Sequence, residues 1–191
     1  KKKKTNESFY VSNDKFKLNK KEVTLPIIGK VKMREKLRFV GKIANATISK
    51  IANKFYISIN VELNEDYKRN RINNDKIGLD LGIINFVVDS NGKKVKAPKP
   101  LKKFNKKLKR TQRRLSKKKI GSNNRKKAKI KLNKLHFKIY NIRNDFLHKL
   151  STNICRENQT INIETLKINN MIKNHKLAKA ISDLSWYSFR T

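Results

Sequence analysis

The sequence predicts a mixed fold of the α+β or α/β class, in which a β-barrel-like N-terminal domain precedes an α/β domain with a long helical hairpin. Three observations lead to this class. Apolar and polar residues alternate in the first third of the chain at the period of β-strands. Two later stretches repeat apolar residues every three or four positions, as amphipathic helices do. A polar segment, residues 64–75, separates the two parts, which we expect to span residues 1–70 and 71–191.

The N-terminal part reads as a series of short strands. Residues 55–63 (FYISINVEL) alternate between apolar and polar side chains, and residues 46–51 can pair with them through a turn at 52–54. Residues 22–40 offer further short strands, interrupted by a proline and a glycine. These elements predict an all-β domain that closes into a small barrel.

The second part mixes strands with helices. Ile77, Leu79 and Leu81 share one face of a strand, Ile84, Phe86 and Val88 alternate after it, and a Ser-Asn-Gly turn follows, which predicts a β-hairpin. Residues 160–164 return to strand alternation, and residues 175–190 have a helical pattern.

Between these elements, residues 100–157 predict a hairpin of two long helices. Apolar residues recur at helical spacing over 101–119 and again over 124–157. We expect Gly121 to be the C′ glycine of the first helix and the residues after it to cap the second.

Charge is the strongest compositional signal. The chain carries 50 Lys and Arg against 14 Asp and Glu, a formal net charge of +36. Between Asp89 and Asp145 there are 23 Lys and Arg and no acidic residue, so like charges repel along both helices of the hairpin. A solvated surface usually mixes both signs. We therefore expect a nucleic-acid backbone to neutralise this hairpin, through Lys102, Lys103, Lys106, Lys107, Lys109, Arg110, Arg113, Arg114, Lys117, Lys118, Arg125, Lys126 and Lys127.

Composition also argues against several classes of protein. No apolar run approaches the roughly 18 residues of a membrane-spanning helix, and no signal sequence opens the chain. We expect a soluble, intracellular protein that binds neither a membrane nor a small-molecule substrate. The single cysteine, Cys155, cannot build a zinc site or a disulfide, and we expect it to be a buried free thiol.

Two carboxylates have the placement of metal ligands. Asp80 lies opposite the apolar face of its strand, with a glycine two residues away on either side, and Glu164 ends the later strand in the same phase. If the strands are neighbours, the two could share a pair of Mg²⁺ ions for phosphodiester hydrolysis. From spacing alone, solvent-facing strand-end acids are the commoner explanation of such residues.

Several motifs, in order, closely resemble the TnpB/OrfB family of transposon-encoded proteins (transposases of insertion sequences), which is related to the type V CRISPR effectors. They read IGLDLGIINFVVDSNG, RNDFLHKLST, INIETL and NNMIKNHKLAKAISDLSWYSF. The upstream segment SNDKFKLNKKEVTLPIIGKVKMRE is similar to the wedge domain of that family. The resemblance covers nearly the whole chain.

This resemblance implies an RNA-guided DNA endonuclease with a RuvC-like (RNase H-type) domain that uses Mg²⁺. Asp80 and Glu164 match its first two catalytic carboxylates. Guide RNA from the transposon end and target DNA would be the partners, with base pairing supplying sequence specificity. The wedge would hold RNA, and the basic hairpin would follow the backbone of the duplex formed by guide RNA and target DNA. Lys173, His175 and Lys176 lie in a stretch typical of the family, where we expect packing or phosphate contact.

The family's third carboxylate and its zinc ribbon are not matched, so we expect residues 71–191 to be a partial nuclease domain that cuts DNA weakly or not at all. Two alternatives stay open. The motif GLDLGIIN also resembles the first phosphate loop of actin-like and Hsp70-like ATPases. The net charge of +36 and the lack of a second glycine-rich loop argue against an ATPase. A non-catalytic RNA- or DNA-binding remnant would bind without metal and without cleavage.

Overall fold

The computed structural model describes residues 7–63 and 74–191. The chain divides into two compact units, Lys1–Lys68 and Arg69–Thr191. Both contain β-sheet and the second contains the long helices, so the predicted mixed class is confirmed.

The described part of the first unit is built from two three-stranded antiparallel sheets. Their strands are β1 (Ser8–Ser12), β2 (Lys17–Asn19), β3 (Glu22–Leu25), β4 (Gly29–Lys32), β5 (Lys42–Ile51) and β6 (Lys54–Glu62). One sheet has the order β1-β5-β6 and the other β2-β3-β4. The hairpin between β5 and β6 turns at Ala52 and Asn53, which have positive φ values of 50° and 67°, as a tight two-residue connection requires.

The predicted barrel is wrong for the described part of this unit, because its two sheets remain separate. Strands β2, β3 and β4 have only three or four residues each, too few to bridge from one sheet to the other and close a barrel. Six buried side chains form the core of the unit: Val11, Phe16, Val23, Leu25, Ala46 and Ile48.

The described part of the second unit has one four-stranded sheet, formed by β7 (Asn74–Leu81), β8 (Val87–Asp89), β9 (Lys94–Val95) and β10 (Asn158–Ile163). The order of the strands is β10-β7-β8-β9. Strands β7 and β8 form the predicted hairpin, but Ile84 is 78% exposed rather than part of an apolar face. The reason is that residues 82–86 form the connecting loop, closed by a hydrogen bond from Gly82 N to the Phe86 carbonyl.

Among the described residues, five helices complete this unit: α1 (Pro100–Ser116), α2 (Asn123–Glu157), α3 (Ile168–Met171), α4 (His175–Leu184) and α5 (Trp186–Arg190). The helix predicted over 175–190 is divided at Ser185, whose φ of 55° is left-handed. Gly121 also has a positive φ but lies in the loop between α1 and α2 rather than at C′. Cys155 is exposed, not buried, because it is on the outer side of α2.

The core of the second unit lies between the sheet and the helices. Ile77, Leu79 and Leu81 of β7 pack with Leu147 of α2 and Trp186 of α5. Phe86 is fully buried at the centre, with edge-on aromatic contacts to two further phenylalanines. Within the described ranges, no helix is both long and apolar enough to cross a membrane.

Candidate metal site and nucleic-acid interface

Asp80 is exposed on the face of β7 opposite the core. Gly78 and Gly82 lie two residues before and after it and therefore face the same way. A Cβ at Gly82 would come within 2.8 Å of the Asn85 carbonyl oxygen, whereas one at Gly78 would meet nothing closer than 3.7 Å. The tight loop thus requires glycine at position 82, whereas position 78 has room for a methyl group.

Strand β10 runs parallel to β7, with Ile161 opposite Ile77 and Ile163 opposite Leu79. Glu164 follows Ile163 just as Asp80 follows Leu79, and it is exposed in the same alternation. Neighbouring strands are about 4.8 Å apart. The register therefore places Asp80 and Glu164 at equivalent positions near the carboxyl ends of two adjacent parallel strands.

This donor pair fits the preferences of Mg²⁺, which takes oxygen ligands and is usually held by one or two carboxylates together with water and substrate phosphate. The described stretches contain no group of three or more His, Cys, Asp or Glu side chains able to hold a metal. Asp80 and Glu164 could supply two of the oxygen ligands of such a metal.

The helical hairpin holds its two helices together by a small apolar seam. Leu108 of α1 is buried against Leu135 and Ile139 of α2. At the connection, Ser122 caps α2 by accepting a hydrogen bond from Arg125 N. The Arg125 guanidinium donates to the carbonyls of Leu115 and Lys118. Arg125, which was predicted to contact nucleic acid, thus also binds backbone carbonyls at the end of α1.

A groove of about 820 Å³ lies along the two helices on one side of this seam. No acidic residue lines it, and the small side chains Thr111 and Ala128 are part of its wall. Closely spaced cations beside small residues leave room for an anionic backbone. The cations that line the groove are Lys107, Arg110, Arg114 and Lys118 on one side and Lys127, Lys131, Lys134 and Lys138 on the other.

Five of the basic residues predicted from sequence thus lie together in this groove, and three groove lysines were missed. Positions 131, 134 and 138 continue from Lys127 at spacings of four, three and four, a helical signal that could have revealed them. Other predicted contacts are exposed outside the groove: Lys102, Lys103, Lys106, Lys109, Arg113, Lys117 and Lys126 on the hairpin, and Lys173, His175 and Lys176 at the start of α4.

Asp183 of α4 was not singled out from the sequence, yet it joins three helices. Its carboxylate is 4% exposed and accepts hydrogen bonds from the backbone N–H groups of Leu101 and Lys102, both at 3.0 Å. Arg143 of α2 pairs with it at 3.1 Å and donates from Nε to its backbone carbonyl. Because Lys99 provides no side-chain cap, Asp183 caps α1 from a distance.

The sheets, the strand-end carboxylates and the basic hairpin together define a class: a strongly basic protein of mixed α and β structure with a candidate nucleic-acid interface. Residues 58–175 match the model of a family described as “Probable transposase”. The match covers more than half of the chain, which therefore belongs to the OrfB family of insertion-sequence proteins, the TnpB family. The resemblance drawn from the sequence motifs is confirmed.

Two relatives illustrate the match. A Streptomyces pristinaespiralis protein named “Putative RNA-guided DNA endonuclease” is 47% identical over 115 residues, which are 60% of this chain and 29% of the relative. The Escherichia coli K12 protein “Putative RNA-guided DNA endonuclease InsQ” is 33% identical over 206 residues, covering 100% of this chain and 51% of the relative. The chain thus spans about half, or less, of the length of these relatives.

Proposed function

We propose that this chain provides the first two metal-binding carboxylates and part of the nucleic-acid interface of an RNA-guided, Mg²⁺-dependent DNA endonuclease with a RuvC-like domain, active in the cytoplasm of a prokaryote. The observation that carries the proposal is the register of β7 and β10, in which Asp80 and Glu164 each follow directly on the paired residues Leu79 and Ile163, in a family whose relatives are named as such endonucleases.

Each part of the site has a task in this chemistry. Bound Mg²⁺ would polarise the phosphodiester and lower the pKa of an attacking water. Asp80 and Glu164 would hold the metal, and the glycines beside Asp80 add no side chain next to that carboxylate. Asp80 lies within β7 and Glu164 directly follows β10, so the sheet would position both carboxylates, as such chemistry requires.

The basic groove would bind the backbone of the duplex formed by guide RNA and target DNA. Its cations lie in two rows on neighbouring helices, and such contacts hold a nucleic acid in register without reading its sequence. Sequence reading would then fall to base pairing with the guide.

RNA binding by the first unit is supported by the outer face of its β1-β5-β6 sheet. Cross-strand pairs place Tyr10 beside Thr47, and Ser49 beside Tyr56. Uncharged polar groups and tyrosines on a sheet suit contact with unpaired bases. No charged residue is present in the three cross-strand rows Ser8–Ser49–Tyr56, Tyr10–Thr47–Ser58 and Ser12–Asn45–Asn60.

The metal site is testable with Mn²⁺, a paramagnetic substitute for Mg²⁺, titrated into the chain with single-stranded DNA present and followed by water-proton relaxation. We expect one saturable class of sites that Asp80→Asn and Glu164→Gln each weaken at least about tenfold, because each removes a charged oxygen ligand. Asp145→Asn is the matched control, because that acid is exposed and forms its ion pair with Lys149.

Equal Mn²⁺ binding in all variants would contradict the proposed metal site. Retained DNA binding without any specific metal site would instead indicate the second candidate, a non-catalytic nucleic-acid-binding protein. One observation favours that alternative: within the described residues, no group of three or more His, Cys, Asp or Glu side chains is placed to hold a metal.

A further inference from the structure

A second cavity, of about 420 Å³, begins at Glu164 and extends away from it toward α3 and α5. Its wall contains two cations, Lys167 and Arg190, and two amides, Asn169 and Asn170. The aromatic side chain of Tyr187, 71% exposed, also lines it. Neither the carboxylate pair nor the basic groove accounts for this set of residues.

We propose that this cavity binds a single nucleotide of the DNA strand, with Arg190 on a phosphate and the Tyr187 ring stacked on the base. The inference rests on the proposed function for its position, because a strand whose phosphate reaches Glu164 must place the adjoining nucleotide nearby. Residues Arg190 and Tyr187 are thus positioning residues rather than participants in bond cleavage.

The lining matches the chemistry of a nucleotide. Guanidinium and ammonium groups bind phosphate oxygens, an exposed aromatic ring stacks on any base, and side-chain amides can bond base edges. Leu166 and Ile168 supply the apolar remainder of the wall, as in most small-ligand sites. The volume is within the range of such sites.

A second observation concerns Trp186, whose side chain also lines the cavity. The residue is 2% exposed, and its indole Nε1 is buried with no hydrogen-bond partner among the described residues. Buried donors are almost always paired, because an unpaired one costs about 1–3 kcal/mol. Trp186 therefore brings a buried, unpaired donor to the group of residues that line this cavity.

This tryptophan is the only one in the chain, so its indole ¹H–¹⁵N resonance reports on the cavity alone. The probe is a 5′-phosphorylated oligothymidylate of about five residues, titrated in EDTA so that no metal contributes. We expect a saturable shift of the indole resonance. Tyr187→Ala and Arg190→Gln should each weaken the affinity read from it at least about fivefold, while Tyr187→Phe, which keeps the ring, should bind like the original.

Two controls match these substitutions. Lys179→Gln removes an exposed cation of α4 outside the cavity, and Tyr140→Ala removes an exposed tyrosine of α2. Neither should change the indole response by more than about twofold. An indole resonance that stays unmoved while the oligonucleotide binds elsewhere would overturn the inference, as would equal shifts in all variants.

The metal site and the nucleotide site can fail separately. Loss of specific Mn²⁺ binding with an Arg190-dependent indole shift would contradict the proposed function and support the nucleotide site. Specific Mn²⁺ binding with no indole response would support the proposed function and contradict the nucleotide site.

Discussion

At the scale of single residues, the buried pair of Asp183 and Arg143 has the largest structural consequence. It combines an ion pair at 3.1 Å with two hydrogen bonds to the N-terminus of α1. Asp183 is almost fully buried and the Arg143 side chain is 19% exposed, so solvent screens the pair little. Removing one member leaves the other charge buried without its partner.

We therefore expect Asp183→Ala to lower the free energy of unfolding by about 3–5 kcal/mol. Denaturation by guanidinium chloride, followed by Trp186 fluorescence, measures this. Asp145→Ala is the comparison, because its pair with Lys149 is exposed and such pairs contribute about 1 kcal/mol or less. Similar losses in the two variants would show that Asp183 does not join the helices as described.

The glycines beside Asp80 differ in what they tolerate. A Cβ at position 82 would collide with the carbonyl of Asn85, and one at position 78 would make an ordinary contact with Ser90. Gly82→Ala should therefore destabilise the protein by about 1–3 kcal/mol, as steric overpacking does. Gly78→Ala should be neutral within about 1 kcal/mol. Thermal unfolding of both variants checks the difference, and equal stability would contradict it.

At the scale of elements, the helical hairpin separates its cations into two classes. One set lines the groove between α1 and α2, and the other is exposed on the remaining surfaces. Composition alone does not distinguish the cations in the groove from those outside it. Packing through Leu108, Leu135 and Ile139 orients one face of each helix toward the groove, so only that face presents cations from both helices at once.

This difference predicts unequal effects of neutralisation. Changing Lys107, Lys131 and Lys134 together to Gln should reduce the slope of log affinity against log salt for duplex DNA by about 2–3, because each lost phosphate contact removes about 0.9. Fluorescence anisotropy at several salt concentrations measures the slope. The triple Gln variant of Lys103, Lys109 and Lys126 removes equal charge outside the groove and should reduce it by less than about 1. Equal reductions would refute the groove as the binding surface.

At the scale of the whole molecule, a net charge of +36 affects every association. The charge is concentrated in the second unit, where the hairpin carries no compensating acid before Asp145. Long-range attraction to a polyanion is therefore strong at low salt and screened above physiological ionic strength.

We expect the affinity of the chain for a duplex of about 20 base pairs to fall by about 10³ to 10⁵ between 50 and 200 mM salt, the range for six to ten phosphate contacts. Anisotropy titrations at both concentrations test this. An affinity that changes less than about tenfold would mean that far fewer phosphates are contacted than the eight groove cations suggest.

Much of the fold could be predicted because periodicity is a local property. The alternation at Ile77, Leu79 and Leu81 identified a strand and the exposed face of Asp80. The apolar repeat of the hairpin located both helices to within a few residues. Errors arose where local pattern was ambiguous: Ile84 is in a loop, and a left-handed Ser185 interrupts a helical pattern.

By itself, the sequence determined the class of fold, the family, the basic character of the hairpin and the phase of each carboxylate, since all of these depend on residues close together along the chain. Only the tertiary structure decided that β10 lies beside β7 in register, that eight cations share one groove, and that Asp183 caps a helix about eighty residues before it. Such contacts depend on how elements pack, and packing brings together residues whose separation in sequence carries no periodic signal.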